Sequence, residues 1–304
     1  MVGIEFTDVT LRDGLQMESQ ILKVDQKFRL LQALAACGYD RIELTSFVHP
    51  TKMPQFSDSE ALCEKVYASK ETLPPLMAFV PNEKGVQRLL KYPIPWAACF
   101  VSTSEQFNQR NVNATIEQSI DQVRAVVAQV REAKRKVRVY VSTVFGCPYQ
   151  GKISPDTLSR VLRSVAAMVP DEIALGDTIG VATPDQVRQI VGELAKAFPI
   201  GKIALHLHNT YGLATAAAFA GYEMGVMKFD GATGGVGGCP YAKGASGNVA
   251  SEDLLYAFFR QAARSEFPEA AFQKAIAVLS QEFKMIPQGH LAQIWQKGGS
   301  LHGI

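Results

Sequence analysis

Two histidines that are separated by one residue, His206 and His208, lie at the end of an apolar segment. On a β-strand, side chains two residues apart point to the same face, so both imidazoles would lie together and Leu207 would face away. Neutral imidazole is a common ligand of divalent metals. The pair therefore predicts a metal site, which we favour over two histidines that are hydrogen-bonded separately.

Two oxygen-bearing side chains could complete this site, because Asp13 follows the first apolar segment and Asn248 follows the last one. In a closed barrel the first, seventh and eighth strands are neighbours, so these side chains could meet His206 and His208. One carboxylate, two imidazoles and one amide oxygen leave about two positions of an octahedral shell for substrate oxygens. The oxygen ligands favour Mg²⁺ or Mn²⁺. Iron ranks second, because Asn248 would occupy a position that dioxygen needs.

Arg12 precedes the predicted metal ligand Asp13 directly. Strict alternation would place the two side chains on opposite faces, so we expect the chain to leave the strand here. On the next strand, alternation predicts that Arg41, Glu43 and Thr45 share a face. A glutamate inside a barrel needs a partner, and Arg12 is the nearest candidate. The pair could hold the guanidinium where it stabilises an enolate or oxyanion; the alternative is a surface salt bridge.

Cys239 lies in a segment with seven glycines between residues 231 and 247. Such a segment predicts a mobile loop or one pressed against a ligand, and a cysteine there would be exposed and reactive. The chain has five cysteines, widely spaced and without a CxxC motif. This pattern predicts no disulfide framework and a reducing compartment. The remaining cysteines are expected to be packed thiols: Cys37, Cys63, Cys99 and Cys147.

The elements that must position these residues alternate between short apolar segments and longer stretches of helical period. Strands are predicted at 4–11, 41–45, 76–80, 97–101, 137–141, 173–175, 203–208 and 228–231. Helices are predicted at 24–38, 58–69, 83–91, 116–130, 155–168, 184–198, 212–224, 249–262 and 271–285. Eight strand–helix units favour an α/β fold of the (β/α)₈ TIM-barrel type over a doubly wound open sheet. We expect the barrel at 1–264 and a helical extension packed on it at 265–304.

Length and composition indicate a globular protein with a well-buried core. The 304 residues are 47% hydrophobic and carry a net charge of +2, which excludes disorder and a strongly basic nucleic-acid-binding protein. No apolar window is long enough to span a bilayer. The first strand begins near residue 4, without a basic-then-apolar signal before it, so a cytoplasmic location is expected.

The motifs resemble those of the metal-dependent lyase and synthase superfamily named for its Asp-Arg-Glu signature. Within it, the chain resembles the 3-hydroxy-3-methylglutaryl-CoA (HMG-CoA) lyase family over nearly its whole length. The matching segments are 12–16 (RDGLQ), 43–48 (ELTSFV), 146–149 (GCPY), 176–180 (GDTIG), 206–208 (HLH) and 237–248 (GGCPYAKGASGN). The last of these is highly specific for the lyases.

The resemblance implies cleavage of HMG-CoA, or of a close 3-hydroxyacyl-CoA, to acetyl-CoA and acetoacetate, as in leucine degradation. It implies one divalent cation, no organic cofactor beyond the CoA of the substrate, and a homodimer that binds neither nucleic acid nor membrane. The implied metal ligands are Asp13, His206, His208 and Asn248. The implied catalytic residues are Arg12 for the enolate, Cys239 as the acid and Glu43 to orient the site. For the base that removes the hydroxyl proton, His206 is our candidate. Gln16 and Asp177 are implied substrate-binding residues, together with Arg12.

Two positions depart from the usual lyase pattern. Lyases often have Gly-Pro before the Arg-Asp pair, whereas this chain has Thr10 and Leu11, as the condensing enzymes do. Lyases also often have Asp after the second histidine, where this chain has Asn209. The condensing enzymes, however, usually have Glu where this chain has Leu15. An acyltransferase of the isopropylmalate or citramalate synthase type is therefore the alternative function. A non-catalytic binding module is a third, weakened by the polar chemistry at five strand ends.

Overall fold

Eight parallel strands form a closed barrel in chain order in the computed structural model, which describes residues 3–237 and 247–301. The barrel confirms the predicted (β/α)₈ TIM-barrel fold. Its closing pairs join the first strand to the second and to the eighth. The strands are β1 (Glu5–Asp8), β2 (Arg41–Ser46), β3 (Leu76–Phe79), β4 (Trp96–Ser102), β5 (Lys136–Ser142), β6 (Glu172–Asp177), β7 (Ile203–Leu207) and β8 (Lys228–Gly231).

Helices follow the strands and cover the barrel from outside. They are α1 (Val24–Ala35), α2 (Ser59–Ala68), α3 (Glu83–Leu89), α4 (Glu105–Val112), α5 (Ile116–Glu132), α6 (Pro155–Ala166), α7 (Pro184–Ala195), α8 (Ala214–Glu223), α9 (Ser251–Arg260), α10 (Glu269–Ala277) and α11 (His290–Gln296). Within residues 3–237 and 247–301, none of these helices combines the length and apolar character needed to cross a bilayer.

Helix starts follow simple capping chemistry. The Ser154 hydroxyl accepts a hydrogen bond from the Thr157 backbone N–H at 3.2 Å, and Pro155 occupies the first helical position of α6. Thr183 caps α7 in the same way. A hydroxyl cap satisfies a backbone N–H that the helix cannot, and proline costs nothing where no intrahelical N–H bond is needed. These caps set the first residues of α6 and α7, the helices that follow β5 and β6.

Two helices were not predicted from the sequence. The α4 segment carries a single buried apolar side chain, Phe107, so it lacks an apolar stripe. It begins because the Ser104 hydroxyl accepts from the Phe107 N–H at 3.2 Å. The other helix, α11, has only seven residues. Both lie below the length at which hydrophobic periodicity is informative.

The first strand is shorter than expected. The prediction ran to Leu11, but β1 ends at Asp8, and Thr10–Gly14 forms a five-residue π-helical turn. The Gly14 N–H bonds to the Val9 carbonyl at 3.0 Å, which closes this turn. The expectation that the chain leaves the strand before Arg12 and Asp13 is therefore confirmed.

The prediction that Thr45 shares the interior face with Arg41 and Glu43 is wrong. The pairing of β2 with β3 shifts register between Glu43 and Thr45, and such a bulge inserts a residue and breaks strict alternation. The Thr45 hydroxyl lies 2.8 Å from the Ser59 hydroxyl at the start of α2. Only Arg41 and Glu43 make their polar contacts inside the barrel.

The barrel interior contains a group of paired charged side chains and a small group of apolar ones. Arg41 bonds Glu172 at 2.9 and 3.0 Å, and Arg138 joins Glu172 to Asp230. A small apolar cluster also fills the interior, and its members are Met77, Ala98, Tyr140, Ala174 and Ala204. The larger core lies between the strands and the helices. Arg41 and Glu172 are the first residues of β2 and β6, so their pair lies towards the N-terminal end of the barrel, and Arg138 connects it to Asp230.

The C-terminal helices pack on the barrel. The predicted helix 271–285 consists of α10 and a π-helical turn, Val278–Glu282. The Phe272 ring contacts Tyr39 edge-on at 5.9 Å, and Asp253 of α9 accepts from the backbone N–H of His290 at 2.7 Å, at the start of α11. The domain boundary at residue 264 stays a prediction.

Candidate active site

Asp13, His206 and His208 converge at the C-terminal end of the barrel, where the chemistry of TIM barrels is found. The Nε2 atoms of His206 and His208 lie 3.8 and 3.7 Å from the Asp13 Oδ2 atom. One ligand atom from each residue falls within 4.8 Å of the others. Asp13 comes from the π-helical turn after β1 and the histidines from the end of β7. The sequence-predicted convergence of these three is confirmed.

Asn248 joins the same cluster. Its Nδ2 donates to Asp13 Oδ2 at 2.9 Å and faces the Val236 carbonyl at 3.3 Å, and a backbone bridge pairs Asn248 with His208. Its Oδ1 is buried without a hydrogen-bond partner among the described residues. A buried oxygen in this state is costly unless a ligand satisfies it. The carboxylate, imidazole and amide donors therefore fit a divalent cation.

The Asp13 carboxylate is held in its ionised form. Burial by itself would raise its pKa, but the positive charge of Arg12 and the neighbouring histidines outweigh burial and hold this pKa well below the usual range. An ionised carboxylate is the state that ligates Mg²⁺ or Mn²⁺. The electrostatics thus favour Asp13 as a ligand at neutral pH.

The Arg12 guanidinium contacts two carboxylates and two aromatic rings. Its Nε donates to Glu43 Oε2 at 2.7 Å and its Nη1 to Asp13 Oδ1 at 2.5 Å. The guanidinium carbon lies 5.3 Å from the Phe79 ring centroid and 5.4 Å from that of Tyr140, within cation–π range. Arg12 is therefore a fixed cation beside the cluster, and its predicted pairing with Glu43 is present.

Glu43 is fully buried inside the barrel. Its Oε2 also accepts from the Tyr140 hydroxyl at 3.3 Å, while Oε1 has no hydrogen-bond partner among the described residues. Burial raises the pKa of Glu43, and the charge and hydrogen bond of Arg12 offset part of that rise. Glu43 therefore depends on Arg12 for most of its stabilisation and fixes the guanidinium in return.

Three site residues were missed from the sequence: Tyr140, Arg138 and Asp230. The Asp230 Oδ2 atom lies 3.2 Å from His206 Nδ1, and both carboxylate oxygens bond to Arg138. Burial would raise the pKa of Asp230, but the charge of Arg138 and the His206 contact lower it. A signal was present, because Arg138 and Tyr140 alternate along β5 with helix-facing valines. Polar residues at interior positions of a barrel strand predict such a network.

Gln16 and Asp177 occupy different positions at the mouth. Gln16 is partly exposed and follows the π-helical turn. Asp177 ends β6, and its two oxygens accept from the backbone N–H groups of Val181 and Ala182 at 3.0 and 2.8 Å. Burial raises the Asp177 pKa, and these N–H groups oppose the rise. Asp177 therefore holds the loop after β6, and substrate contact by either residue stays a prediction.

The start of the glycine-rich segment is pressed against the site. A Cβ on Gly237 would lie 2.8 Å from Asn248 Nδ2 and 3.0 Å from the Gly14 Cα, and the φ of Gly237 is +103°. Both the left-handed backbone and the close approach require glycine. Cys239, two residues further, lies outside the described residues, so its catalytic role stays a prediction.

The other four cysteines are buried free thiols, as expected. Burial raises the pKa of the Cys63 and Cys99 thiols to about 12. A thiol with so high a pKa is a poor nucleophile and a poor ligand. Among the described cysteines, Cys63 and Cys99 are therefore packing residues.

Comparison with known proteins places this geometry in a family. The sequence model of the HMGL-like family matches residues 3–278. A 3-hydroxy-3-isohexenylglutaryl-CoA/hydroxy-methylglutaryl-CoA lyase of Pseudomonas aeruginosa is 41% identical over 255 residues, covering 83% of this chain and 84% of the relative. The mitochondrial hydroxymethylglutaryl-CoA lyase of Gallus gallus is 38% identical over 253 residues, covering 83% of this chain and 84% of that protein.

Solved structures agree with the sequence relatives. The HMG-CoA lyase of Bacillus subtilis superposes with a TM-score of 0.92 at 33% identity, covering 97% of this chain and 98% of that one. An HMG-CoA lyase of Acinetobacter baumannii, solved with coenzyme A and 3-methylmalate, has a TM-score of 0.88 at 31% identity, covering 99% and 97%. The chain therefore belongs to the HMGL-like family, that of the hydroxymethylglutaryl-CoA lyases.

Proposed function

We propose that this chain is a divalent-metal-dependent carbon–carbon lyase that cleaves HMG-CoA to acetyl-CoA and acetoacetate. The observation that carries the proposal is the convergence of Asp13, His206 and His208 within 4.8 Å, with the Arg12 guanidinium bonded to the same aspartate. A cation site beside a fixed positive charge suits a reaction that develops an enolate. The named relatives are lyases, which supports cleavage over the condensing alternative.

Asp13, His206, His208 and Asn248 would hold Mg²⁺ or Mn²⁺. When bound, such a cation would act as a Lewis acid on the substrate oxygens and lower the pKa of the tertiary hydroxyl. The orphaned Asn248 Oδ1 and the ionised Asp13 carboxylate support this assignment. No organic cofactor beyond the CoA of the substrate is proposed.

Arg12 would stabilise the enolate oxygen that forms on the acetyl-CoA side. Because Glu43, Asp13 and two aromatic rings fix the guanidinium before substrate arrives, little reorganisation is needed as the charge develops. The carbon–carbon electron pair becomes the enolate, and the tertiary alkoxide becomes the ketone of acetoacetate. Cys239 would then donate its thiol proton to the enolate carbon, and solvent would restore that proton.

The base that removes the hydroxyl proton is proposed to be His206. This role competes with its role as a ligand, because its Nδ1 already faces Asp230 and only Nε2 faces the site. A nitrogen that binds a cation cannot accept a proton at the same time. His206 Nε2 could therefore serve as the base only where it is not a ligand of the cation.

The proposed function is tested by measuring acetyl-CoA release from a panel of 3-hydroxyacyl-CoA esters, with Mg²⁺ and after its removal by a chelator. We expect metal-dependent release from HMG-CoA, and the panel shows whether esters with a longer 3-substituent are also cleaved. Thiol release from acetyl-CoA in the presence of 2-oxo acids, without cleavage of any ester, would instead support the condensing acyltransferase.

We further propose a cytoplasmic location, a homodimer, and a role in leucine degradation. The relatives include a 3-hydroxy-3-methylglutaryl-CoA lyase of Rattus norvegicus named as cytoplasmic, 38% identical and covering 83% of this chain and 73% of that protein, and others named as mitochondrial. The expected partner is the acyl-CoA substrate, without nucleic acid or membrane. Fractionation and sedimentation of the full chain would test location and assembly.

A further inference from the structure

A buried carboxylate links one proposed metal ligand to the charged centre of the barrel. Asp230, on β8, places Oδ2 3.2 Å from the Nδ1 of His206. The same oxygen accepts from Arg138 Nη1 at 2.8 Å, and Oδ1 accepts from that nitrogen at 2.7 Å. The Asp230 and Arg138 side chains are fully buried. His206 therefore meets a carboxylate that cannot move into solvent.

This contact decides which ring nitrogen of His206 carries a proton. An ionised carboxylate can only accept hydrogen bonds, so Nδ1 of His206 must donate. In the neutral imidazole, Nε2 is then unprotonated, and Nε2 is the atom that faces Asp13 at 3.8 Å. A metal ligand needs exactly one free ring lone pair, so the contact prepares Nε2 for a cation.

Asp230 is itself held in place from the other side. Besides Asp230, Arg138 binds Glu172 through its Nε at 2.8 Å. Glu172 also bonds Arg41, and Lys228 lies 3.2 Å from it. Glu172 thus holds the Arg138 guanidinium from one side, Arg41 and Lys228 hold Glu172, and the guanidinium holds the Asp230 carboxylate. Buried pairs of this kind cost desolvation energy, so their presence here is weak evidence for a purely stabilising role.

We propose that Asp230, held by Arg138, is a positioning residue that sets the tautomer and orientation of His206 for metal binding. The inference rests on the proposed metal-dependent function and deepens it. It assigns a role to two residues that are not among the proposed metal ligands or catalytic residues.

The test is Asp230→Asn, with Mn²⁺ as the probe on substrate-free enzyme. An asparagine carries N–H groups at one of the two positions that the carboxylate oxygens occupy. In the wild type both oxygens of Asp230 face a donor: Oδ1 faces Arg138, and Oδ2 faces Arg138 and His206. Arg138 Nη1 faces both positions, so the asparagine meets a donor whichever way its amide turns. With its nitrogen towards His206 it favours the proton on Nε2, and with its oxygen there it is a weaker acceptor for Nδ1 than a carboxylate. We expect Mn²⁺ affinity, read from electron paramagnetic resonance of free Mn²⁺, to fall about 10- to 100-fold. ¹⁵N NMR of the His206 ring should show a smaller share of the Nδ1-protonated tautomer than in the wild type.

Two further variants separate positioning from general damage to the barrel. Lys228→Met removes a charge from the same buried network, but Lys228 bonds Glu172 and Glu5 rather than Asp230; it should alter unfolding and leave Mn²⁺ affinity and the His206 tautomer unchanged. Arg138→Lys keeps a charge beside Asp230 without the guanidinium's fixed geometry. It should weaken Mn²⁺ binding less than Asp230→Asn does, and it serves as the second test if that variant does not fold.

The outcomes distinguish this inference from the proposed function. If Asp230→Asn or Arg138→Lys binds Mn²⁺ as tightly as the wild type with His206 in the same tautomer, the positioning role is overturned. An equal loss of affinity in Lys228→Met would also overturn it, because the effect would then be structural. If the wild type binds Mn²⁺ but cleaves no HMG-CoA, the proposed function fails while the role of Asp230 stands.

Discussion

At the scale of single residues, the site works because charges are fixed before substrate binds. Arg12 is bonded to Glu43 and Asp13 at once, so its position does not depend on a ligand. The sequence predicted this pair from the burial of a lone glutamate. It did not identify Tyr140: alternation with helix-facing valines on β5 marks an interior position, but only the closed barrel brings the Tyr140 hydroxyl to Glu43.

The proposed acid gives the first prediction. Cys239→Ser should lower kcat by about 10²- to 10⁴-fold, because a serine hydroxyl is a far weaker acid than a thiol. The KM for HMG-CoA and the affinity for Mn²⁺ should change little. Steady-state kinetics with Mn²⁺ at saturation measure this, and Cys147→Ser, at a buried thiol that is not assigned to the reaction, is the matched control. Full turnover by the Cys239 variant would remove the acid role.

Arg12 gives the second prediction. Arg12→Lys keeps the positive charge but not the fork that bonds two carboxylates, so the cation loses its fixed position. We expect kcat to fall by about 10²- to 10³-fold, while Asp13 and the histidines still bind Mn²⁺. Measuring both kcat and Mn²⁺ affinity of this variant distinguishes a loss of enolate stabilisation from a loss of metal binding. Wild-type kcat in Arg12→Lys at saturating Mn²⁺ would contradict the enolate role, whether or not its Mn²⁺ affinity falls.

At the scale of elements, the site depends on where the chain departs from regular strands. The π-helical turn Thr10–Gly14 turns Asp13 towards β7, and the bulge in β2 removes Thr45 from the interior. Periodicity alone does not predict this bulge, because the extra residue of β2 is revealed only by how that strand pairs with β3. The glycine-rich segment begins with left-handed residues at Gly234, Gly235 and Gly237.

Gly237→Ala tests whether this segment shapes the metal site. The new Cβ would lie 2.8 Å from Asn248 Nδ2, so Asn248 or the segment must move, and Mn²⁺ affinity should fall. Gly212→Ala is the matched control: Gly212 also has a positive φ, +76°, but its Cβ would meet no atom within 4 Å. Both variants should lose about 1 kcal/mol of stability from backbone strain. Equal Mn²⁺ affinity in the two would refute the steric argument.

A buried carboxyl at the base of the same segment gives a pH prediction. Glu252 of α9 accepts from the Gly234 N–H at 2.9 Å, and burial with the nearby Asp253 charge raises its pKa to about 8. Because this folded-state pKa lies above the ordinary value of 4.5, its contribution to stability is complete below pH 4.5. That contribution is lost as the pH rises through about 8.

Glu252→Gln should remove this dependence, because the amide cannot ionise and its oxygen can still accept from Gly234. Urea unfolding between pH 5 and pH 9 measures the free energy of unfolding of both proteins. The wild type should lose stability relative to the variant as the pH rises, so the difference between them changes with pH. Parallel curves over this range would show that Glu252 does not titrate as the structure indicates.

At the scale of the whole molecule, barrel closure makes a site from residues 235 positions apart, Asp13 and Asn248. The alternation of strands and helices was enough to predict the barrel, and the order of strands then placed β7, β8 and β1 together. The buried charges inside were harder to predict. Arg138 and Asp230 are 92 positions apart on strands that are not neighbours, and they meet only across the interior.

The central claim is that a divalent cation held by Asp13, His206, His208 and Asn248 drives the cleavage of HMG-CoA. The most direct measurement is acetyl-CoA release by chelator-treated wild type and His208→Ala, before and after Mn²⁺ is restored. The account predicts that chelator-treated wild type releases no acetyl-CoA and that its activity returns when Mn²⁺ is restored. The activity of His208→Ala should not return at the same Mn²⁺ concentration. Undiminished cleavage by the chelator-treated wild type would contradict it.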